Sequence, residues 1–214
     1  MQQDLSDKAL VYIVDDDESL RYALGRLMNS VGHTARTYGS VREFTEARLD
    51  DVPGCLILDV RLPGVSGIEF QTQLSSLDIH LPVILMTGHG DIPMSVRAMK
   101  AGAVDFLPKP FREQDMLDAV SSAIARDRDR RMSNGRTTDI TDRFARLTPR
   151  EQEVMIITTS GKMNKQTAAH LGISEVTVKL HRRAAMQKMG ARTLADLVRM
   201  ADVVRPLMRR SGGE

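Results

Sequence analysis

The sequence predicts two domains: an α/β domain built on a doubly wound, five-stranded parallel sheet, and a second, smaller domain that is all α-helical. Residues 1–125 alternate short apolar runs with helical patterns five times, which is typical of a parallel sheet covered by helices. From residue 147 onward the sequence shows helical patterns only. The net charge also divides the chain. Residues 1–125 carry 11 Lys/Arg against 18 Asp/Glu, a net −7, and residues 126–214 carry 19 against 10, a net +9.

The bulk properties exclude several classes of protein. The longest apolar run, Ala9 to Val14, is too short to span a bilayer, and the polar start MQQDLSDK is not expected to act as a signal peptide. The single cysteine, Cys55, excludes an internal disulfide. We therefore expect a cytoplasmic protein with no membrane partner. The basic second half favours a polyanionic partner, although a solvated basic surface would give the same balance.

Five strands and five helices are expected in the first domain. The strand-like runs are Leu10–Val14, Thr34–Tyr38, Cys55–Leu58, Val83–Met86 and Val104–Leu107, of which Thr34–Tyr38 is the least apolar. Helices are expected near residues 18–31, 40–48, 66–75, 93–101 and 112–125, and Asp17 and Glu18 are expected to cap the first of them.

Polar residues follow four of the five strands. Asp15 and Asp16 come after the first strand, Asp59 after the third, Thr87 after the fourth and Lys109 after the fifth. Because the carboxyl ends of parallel strands meet at one edge, these side chains should lie together. Asp59 alone would be read as a turn cap. The set instead suits phosphoryl transfer, with Asp59 as nucleophile, the other two carboxylates on Mg²⁺, and Lys109 and Thr87 on phosphoryl oxygens.

The motifs VDDDESLR, LDVRLPGVSG, MTGHGD and AMKAGAVDFLPKPF, in this order, resemble the receiver domain of bacterial response regulators over residues 8–126. The resemblance implies a flavodoxin-like fold with Asp59 as phospho-acceptor. It further implies a Mg²⁺ site made by Asp15, Asp16, Asp59 and the backbone carbonyl of Arg61. It also implies that Thr87 and Lys109 form the signalling pair and that Phe106 is the aromatic switch. The Lys109–Pro110 peptide bond is implied to be cis.

A charged segment separates the two domains. Residues 126–136, RDRDRRMSNGR, are expected to extend the fifth helix as far as about Ser133. Residues 137–146 contain few apolar side chains and are expected to form a linker. The predicted boundaries are therefore 1–125 for the first domain, 126–146 for the helical extension and hinge, and 147–214 for the second domain.

The second domain contains a predicted helix-turn-helix. Thr148, Pro149 and Glu151 form a capping-box sequence for a helix that should run to about Ser160. A second helix, capped by Asn164 and ending near Leu171, is joined through a short Gly-containing turn to a third. The third helix is expected to run from a Ser174 cap to Met189, and the last helix to start at Thr193.

The third helix has two faces at 100° per residue. One face carries Val178, Ala185, Met186 and Met189, and the other carries Lys179, Leu180, Arg183 and Gln187. The long polar arms of the second face suit the bases and phosphates of a major groove. A rival apolar stripe of Val176, Leu180 and Ala184 leaves the orientation open on periodicity alone.

The segments LTPREQEV, NKQTAAHLGISEVTVKLHRR and MQKMGARTLADLVRMA resemble a LuxR-type helix-turn-helix over residues 147–201. With the first domain, nearly the whole chain resembles a NarL/FixJ-type response regulator. The resemblance implies base reading by Lys179, Leu180 and Arg183, and phosphate contacts at Lys165, at Thr177, and at His181 or Arg182. It implies four partners: a sensor histidine kinase, double-stranded DNA, RNA polymerase, and a second copy of the chain after phosphorylation.

The sequence thus predicts a transcription regulator that is switched by phosphorylation of Asp59. Two other classes stay open at this stage. One is an enzyme with an aspartyl-phosphate intermediate, although the sequence has no second carboxylate just after Asp59 and no G-x-x-x-x-G-K-[ST] loop. The other is a phosphorylation-dependent interaction module whose basic domain binds a protein or RNA.

Overall fold

The structure, a computed structural model, describes residues 9–88 and 92–211. The chain folds as two compact units that divide between Arg131 and Met132. This division falls inside the segment 126–146, which was predicted to be the helical extension and hinge.

The first unit contains the predicted five-stranded parallel sheet. Its strands are β1 (Leu10–Val14), β2 (Thr34–Tyr38), β3 (Gly54–Asp59), β4 (Val83–Thr87) and β5 (Asp105–Pro108). They lie side by side in the order β2-β1-β3-β4-β5, and every neighbouring pair is parallel. From β1 the chain adds β2 on one side and then β3, β4 and β5 on the other. The carboxyl ends of β1 and β3 therefore flank the crevice where doubly wound sheets bind ligands. The predicted fold class is confirmed.

The helices of the first unit cover both faces of the sheet. They are α1 (Glu18–Ser30), α2 (Val41–Glu46), α3 (Gly67–Gln73), α4 (Ile92–Lys100) and, as far as Arg131, the long α5 (Glu113–Ala145). Asp17 caps α1, since its carboxylate accepts from the backbone N–H groups of Ser19 and Leu20. Glu18 is the first residue of the helix rather than its cap.

Each face of the sheet has its own apolar layer. On one side α1 and α5 pack through Leu24, Met28, Met116 and Val120 against alternate residues of the central strands. On the other side an aromatic group packs around Phe44, which contacts Tyr12, Tyr38 and Phe70 edge-on or at a steep angle. All six residues of β3 are buried, which accounts for the uninterrupted apolar run in the sequence.

Glycine shapes the loop that comes after β3. A short antiparallel hairpin, Arg61–Leu62 with Val65–Ser66, lies in this loop. The backbone then folds back so closely that a Cβ on Gly67 would lie 2.2 Å from the carbonyl oxygen of Asp59. The Gly67 N–H donates to the Val60 carbonyl at 2.9 Å, which closes the loop beside the end of the strand. Only glycine fits this close approach, and the loop therefore fixes where Asp59 ends the strand.

A buried carboxylate connects α5 to the amino end of β3. Asp127 is fully buried, and its Oδ2 accepts from the Gly54 N–H at 3.1 Å and from Arg131 Nε at 2.7 Å. Its Oδ1 accepts from Arg130 at 2.7 Å. Arg131 also bonds Asp51. These contacts satisfy the buried charge and fix the start of β3.

Helix α5 is longer than predicted. The expectation that it stops near Ser133 and that residues 137–146 form a linker is wrong, because the helix continues to Ala145. Two threonine hydroxyls of this stretch, Thr137 and Thr141, bond back to carbonyls four residues earlier. Phe144, with Ile140 beside it, packs into the core of the second unit. Tertiary packing therefore overrides the low helix propensity of the sequence.

The second unit is all α-helical, with α6 (Pro149–Thr158), α7 (Asn164–Leu171), α8 (Glu175–Met189) and α9 (Leu194–Ser211) after the end of α5. The Thr148–Glu151 capping box is present, and Ser174 caps α8 through the Thr177 N–H at 3.1 Å. The core combines α5, α6, α8 and α9 through Phe144, Leu147, Met155, Ala185, Met189, Leu197, Ala201 and Val204.

Three predicted helix ends in this unit differ from the structure. Helix α6 ends at Thr158 rather than near Ser160. At this end the hydroxyls of Thr158 and Thr159 donate to carbonyls of the last turn. Asn164 is the first residue of α7 and not its cap, because the Gln166 side chain bonds the Met163 N–H instead. Thr193 precedes α9 as its cap, bonded to the Asp196 N–H. No helix in the described ranges is long and apolar enough to cross a bilayer.

Candidate functional site

Three carboxylates meet at the carboxyl edge of the sheet. Asp15 follows β1, Asp16 comes next to it, and Asp59 ends β3. One oxygen from each lies within 4.8 Å of the others. Asp15 and Asp59 are buried, whereas Asp16 is exposed. We call these three residues the acidic rim. The predicted convergence of Asp15, Asp16 and Asp59 is present in the structure.

Asp15 is held by contacts on every side. Its Oδ1 accepts from the Asp17 N–H at 2.9 Å, and its Oδ2 accepts from Lys109 Nζ at 2.6 Å. Its main-chain carbonyl accepts from the Arg21 guanidinium at 2.7 Å. The sequence patterns did not single out Arg21. Their one signal for it was a cation in the first turn of a helix that begins just after the acidic run.

Lys109 is the cation beside the acidic rim. Besides its bond to Asp15, its Nζ lies 3.4 Å from Asp59 Oδ1, so one ammonium pairs with two carboxylates. The Lys109–Pro110 bond is cis, as the resemblance implied. The Lys109 N–H donates to the Thr87 carbonyl at 2.7 Å, which connects the end of β5 to the end of β4.

Asp59 is buried and incompletely satisfied. Its Oδ1 is out of contact with solvent and accepts no hydrogen bond from any described residue, although Lys109 is within ion-pair distance. Burial raises the pKa of the Asp59 carboxyl, Lys109 opposes this shift, and the nearby Asp15 charge adds to it. The site therefore holds a carboxylate oxygen that can still accept a donor or bind a cation.

The acidic rim suits Mg²⁺. Three carboxylates lie together while the Lys109 ammonium pairs with only two of them, and a hard divalent cation takes oxygen ligands of this kind. The oxygen of Asp59 without a hydrogen bond is the atom that such a cation would satisfy. The donor set thus fits the metal that the resemblance implied.

Thr87 lies on the strand next to that of Asp59, and Phe106 lies on the strand beyond it. Thr87 is fully buried at the last position of β4, and Phe106 is half-buried on β5, where it is paired in register with Leu85. Phe106 packs against the same apolar layer as Phe44 and Phe70. Arg61 is exposed just after Asp59.

The burial of its side chains shows which face of α8 points to the core of the second unit. Val178, Ala185 and Met189 are buried, and Met186 is half-buried. The rival apolar stripe does not face the core, because Val176 and Leu180 are 66% and 63% exposed. The exposed face of α8 consists of Val176, Lys179, Leu180, Arg183 and Gln187.

The candidate phosphate-contacting residues surround this face. Lys165 is exposed in the first turn of α7. Thr177 is half-buried, and its hydroxyl lies 2.8 Å from the Ser174 hydroxyl. Arg182 is half-buried and donates to Asn164 at 3.1 Å, and His181 is also half-buried.

Comparison with known proteins gives the family. Residues 11–121 match the response regulator receiver domain, and residues 145–201 match the luxR family of bacterial regulatory proteins. The transcriptional regulatory protein FixJ of Azorhizobium caulinodans is 39% identical over 89% of this chain and 90% of its own length. The chain belongs to the NarL/FixJ-type response regulators.

Other relatives of this response regulator agree. Nodulation protein W of Bradyrhizobium diazoefficiens is 53% identical over 93% of the chain and 88% of its own length. The solved structure of the response regulator StyR is 47% identical, with a TM-score of 0.80, over 91% of this chain and 98% of its own. The response regulator thus combines a receiver with a LuxR-type DNA-binding domain and acts in transcription regulation. It is not an enzyme, so the first alternative is discarded.

Proposed function

We propose that Asp59 of this response regulator accepts a phosphoryl group from a sensor histidine kinase in a Mg²⁺-dependent reaction. The acidic rim and its lysine support this proposal most directly, because they unite a buried carboxylate with two further carboxylates and one ammonium. An Asp59 oxygen attacks the phosphorus of the donor, the Asp59 O–P bond forms, and the bond from phosphorus to the donor breaks.

The residues of this site would divide between binding the metal and stabilising the phosphoryl group. Asp15, Asp16, Asp59 and the backbone carbonyl of Arg61 would hold Mg²⁺, which neutralises charge on the phosphoryl oxygens when bound. Asp15 enters the reaction already oriented by the Asp17 N–H. Lys109 transfers part of its ion pairing from the carboxylates to the new phosphoryl oxygens.

The signal would leave the site through Thr87 and Phe106. A phosphoryl group on Asp59 adds acceptor oxygens at the end of β3, and the Thr87 hydroxyl at the end of β4 can donate to one of them. Phe106 lies one strand further on, so a shift of Thr87 changes the space that the ring fills. Charge added at one edge thereby reaches the surface of α4 and β5.

Phosphorylation would then produce a homodimer through α4 and β5. Three apolar side chains of α4, Ile92, Val96 and Met99, are exposed by 81%, 45% and 47%. They lie at positions i, i+4 and i+7, so they form one stripe on the helix. An exposed apolar stripe next to the switch residues is a surface that a second copy can cover.

The output would be sequence-specific binding of double-stranded DNA, with RNA polymerase as the further partner. Helix α8 supports this proposal through its exposed face, where Lys179, Leu180 and Arg183 can reach base edges in a major groove. Lys165, Thr177 and Arg182 would contact phosphates. A dimer of this chain would favour an inverted repeat.

Mass spectrometry with a small phosphodonor tests the central step. Mg²⁺ should permit the addition of one acid-labile phosphoryl group to the wild-type chain, and a chelator should abolish it. Asp59→Asn should remain unlabelled, whereas Asp129→Asn, a control at an exposed carboxylate, should be labelled like the wild type. Full labelling of Asp59→Asn would refute the assignment.

A further inference from the structure

The centre of the exposed α8 face is apolar. Val176 and Leu180 are about two-thirds exposed, and with a separation of four residues they lie one turn apart on the same side of the helix. Lys179 and Arg183 lie beside them, also four residues apart. Two long cations thus line one side of a short apolar ridge.

This ridge is directly opposite the buried side of α8. At 100° per residue, Val176 is about 160–180° away from Val178 and Ala185, which face the core. Isolated exposed apolar side chains are ordinary on protein surfaces. Two branched ones at the middle of a cationic face are different, because they occupy the positions that reach deepest into any groove the helix enters.

The major groove of DNA offers one apolar group. Thymine alone among the four bases presents a methyl group there, whereas guanine presents the two acceptors that Arg and Lys bind. We propose that Val176 and Leu180 each contact a thymine methyl group, so that sequence preference depends on two thymines in each half-site. The inference rests on the proposed function of α8 as the reading helix, and it adds Val176, which the family resemblance did not include.

The position of the ridge on α8 defines where those thymines lie. Val176 is the second residue of α8, and the first turns of a reading helix contact base edges. Four residues advance about 6 Å along a helix axis. This distance is close to two base steps of about 3.4 Å each. The two methyl groups therefore belong to different base pairs, with the contacts of Lys179 and Arg183 beside them.

Replacement of thymine by deoxyuridine tests the inference, since it removes only the methyl group. A specific duplex is first selected from a random library with the full-length chain, and each thymine is then replaced singly. Loss of a buried methyl contact should weaken binding about fourfold at two positions of each half-site. Other thymines should be neutral.

Variants assign each methyl group to a side chain. Val176→Ala should bind the thymine and deoxyuridine duplexes equally at one of the two positions, and Leu180→Ala at the other. Both variants should unfold like the wild type, because neither side chain is buried. Met132→Ala, which truncates an exposed methionine of α5, is the matched control and should keep both deoxyuridine effects.

Two results would overturn the inference while leaving the proposed function intact. One is a specific duplex in which every deoxyuridine replacement is neutral. The other is a Val176→Ala chain that retains both deoxyuridine effects in full. Failure to select any duplex over random DNA would instead contradict the proposed function, and the inference with it.

Discussion

At the scale of single residues, the buried carboxylate of Asp59 is costly to the folded chain when no cation balances it. Its pKa is raised by burial, so the protonated carboxyl is favoured by folding, and this contribution to stability is lost as the pH rises through the folded-state pKa. At neutral pH without Mg²⁺, Asp59→Asn should therefore increase the free energy of unfolding by about 0.5–2 kcal/mol. Urea unfolding measures this change.

The pH and metal dependence separate this effect from a general one. The advantage of Asp59→Asn should shrink as the pH falls toward the ordinary range of a carboxyl group, and added Mg²⁺ should stabilise only the wild type. Asp129→Asn should change neither quantity. A stability gain that is the same at all pH values would contradict the explanation by buried charge.

Two cations of the DNA-binding domain should differ in how they affect binding. Arg183→Ala removes a candidate base contact from the exposed face of α8, so it should cost about 1–3 kcal/mol and relax the preference at one position. Lys165→Ala removes a candidate phosphate contact, so it should weaken binding to specific and random DNA alike. The slope of log binding constant against log salt concentration should become shallower by about 0.9. Titrations at several salt concentrations measure both. Equal effects on the two kinds of DNA from both variants would refute the assignment of α8.

At the scale of elements, the start of α6 depends on a carboxylate with two roles. Glu151 accepts from the Thr148 N–H at 2.9 Å and from Lys188 at 2.7 Å. Burial acts to raise the pKa of the Glu151 carboxyl, but the bonds from Lys188 and Thr148 outweigh it, so the pKa lies below its ordinary value. The resulting stability is present above the pKa of the unfolded chain and is lost as the pH falls through the folded-state value.

Glu151→Gln should keep the capping geometry and lose the charge. We expect a cost of about 1.5–3 kcal/mol at neutral pH, measured by urea unfolding, and a smaller cost in acid. Glu153→Gln breaks only an exposed ion pair with Arg150 and should cost less than about 1 kcal/mol. An equal cost for the two variants would show that burial of Glu151 is irrelevant.

The C-terminal end of α5 belongs to the core of the second unit. Phe144 is buried among residues of α6, α8 and α9, and Arg143 donates to the Met189 carbonyl at the end of α8. Phe144→Ala should therefore destabilise the second unit by about 3–5 kcal/mol. Hydrogen exchange of α8 in the full chain measures this loss, with Met132→Ala as a control within about 0.5 kcal/mol of the wild type. Unchanged protection of α8 in Phe144→Ala would refute the packing role.

At the scale of the whole molecule, phosphorylation should double the molecular mass in solution, because the chain is expected to dimerise. Sedimentation of the full-length chain with a stable phosphoryl mimic should show a dimer, and Val96→Glu should weaken this dimer at least tenfold, since it places a charge in an apolar contact. Val31→Glu is a matched control, because Val31 is 46% exposed and Val96 is 45% exposed. Equal weakening by both variants would locate the interface elsewhere.

Local patterns and topology made most of the receiver predictable from the sequence. Strand-like runs identified all five strands, four of them from apolar sequence, and the rule that parallel strands end at one edge correctly brought Asp15, Asp59 and Lys109 together. The orientation of α8 was left open, because Val176 and Leu180 have the same periodicity as a core stripe. Only packing of the neighbouring helices decides between the two faces.

Features that depend on contacts between distant residues were not predictable. The helical state of residues 137–145 is of this kind, because Ile140 and Phe144 pack against the core of the second unit. This stretch is helical because of tertiary packing, whereas its local sequence, with Ser-Asn-Gly before it, argues against a helix.

The burial of Asp127 has a practical consequence for dividing this protein into fragments. A receiver fragment that ended at residue 125, as the sequence pattern suggests, would lack the carboxylate that bonds the Gly54 N–H. The first residue of the central strand would then carry a buried donor without an acceptor, at a cost of about 1–3 kcal/mol. A fragment that ends at Arg131 retains Asp127 and both arginines that neutralise it. Expression of the isolated receiver should begin from that longer boundary.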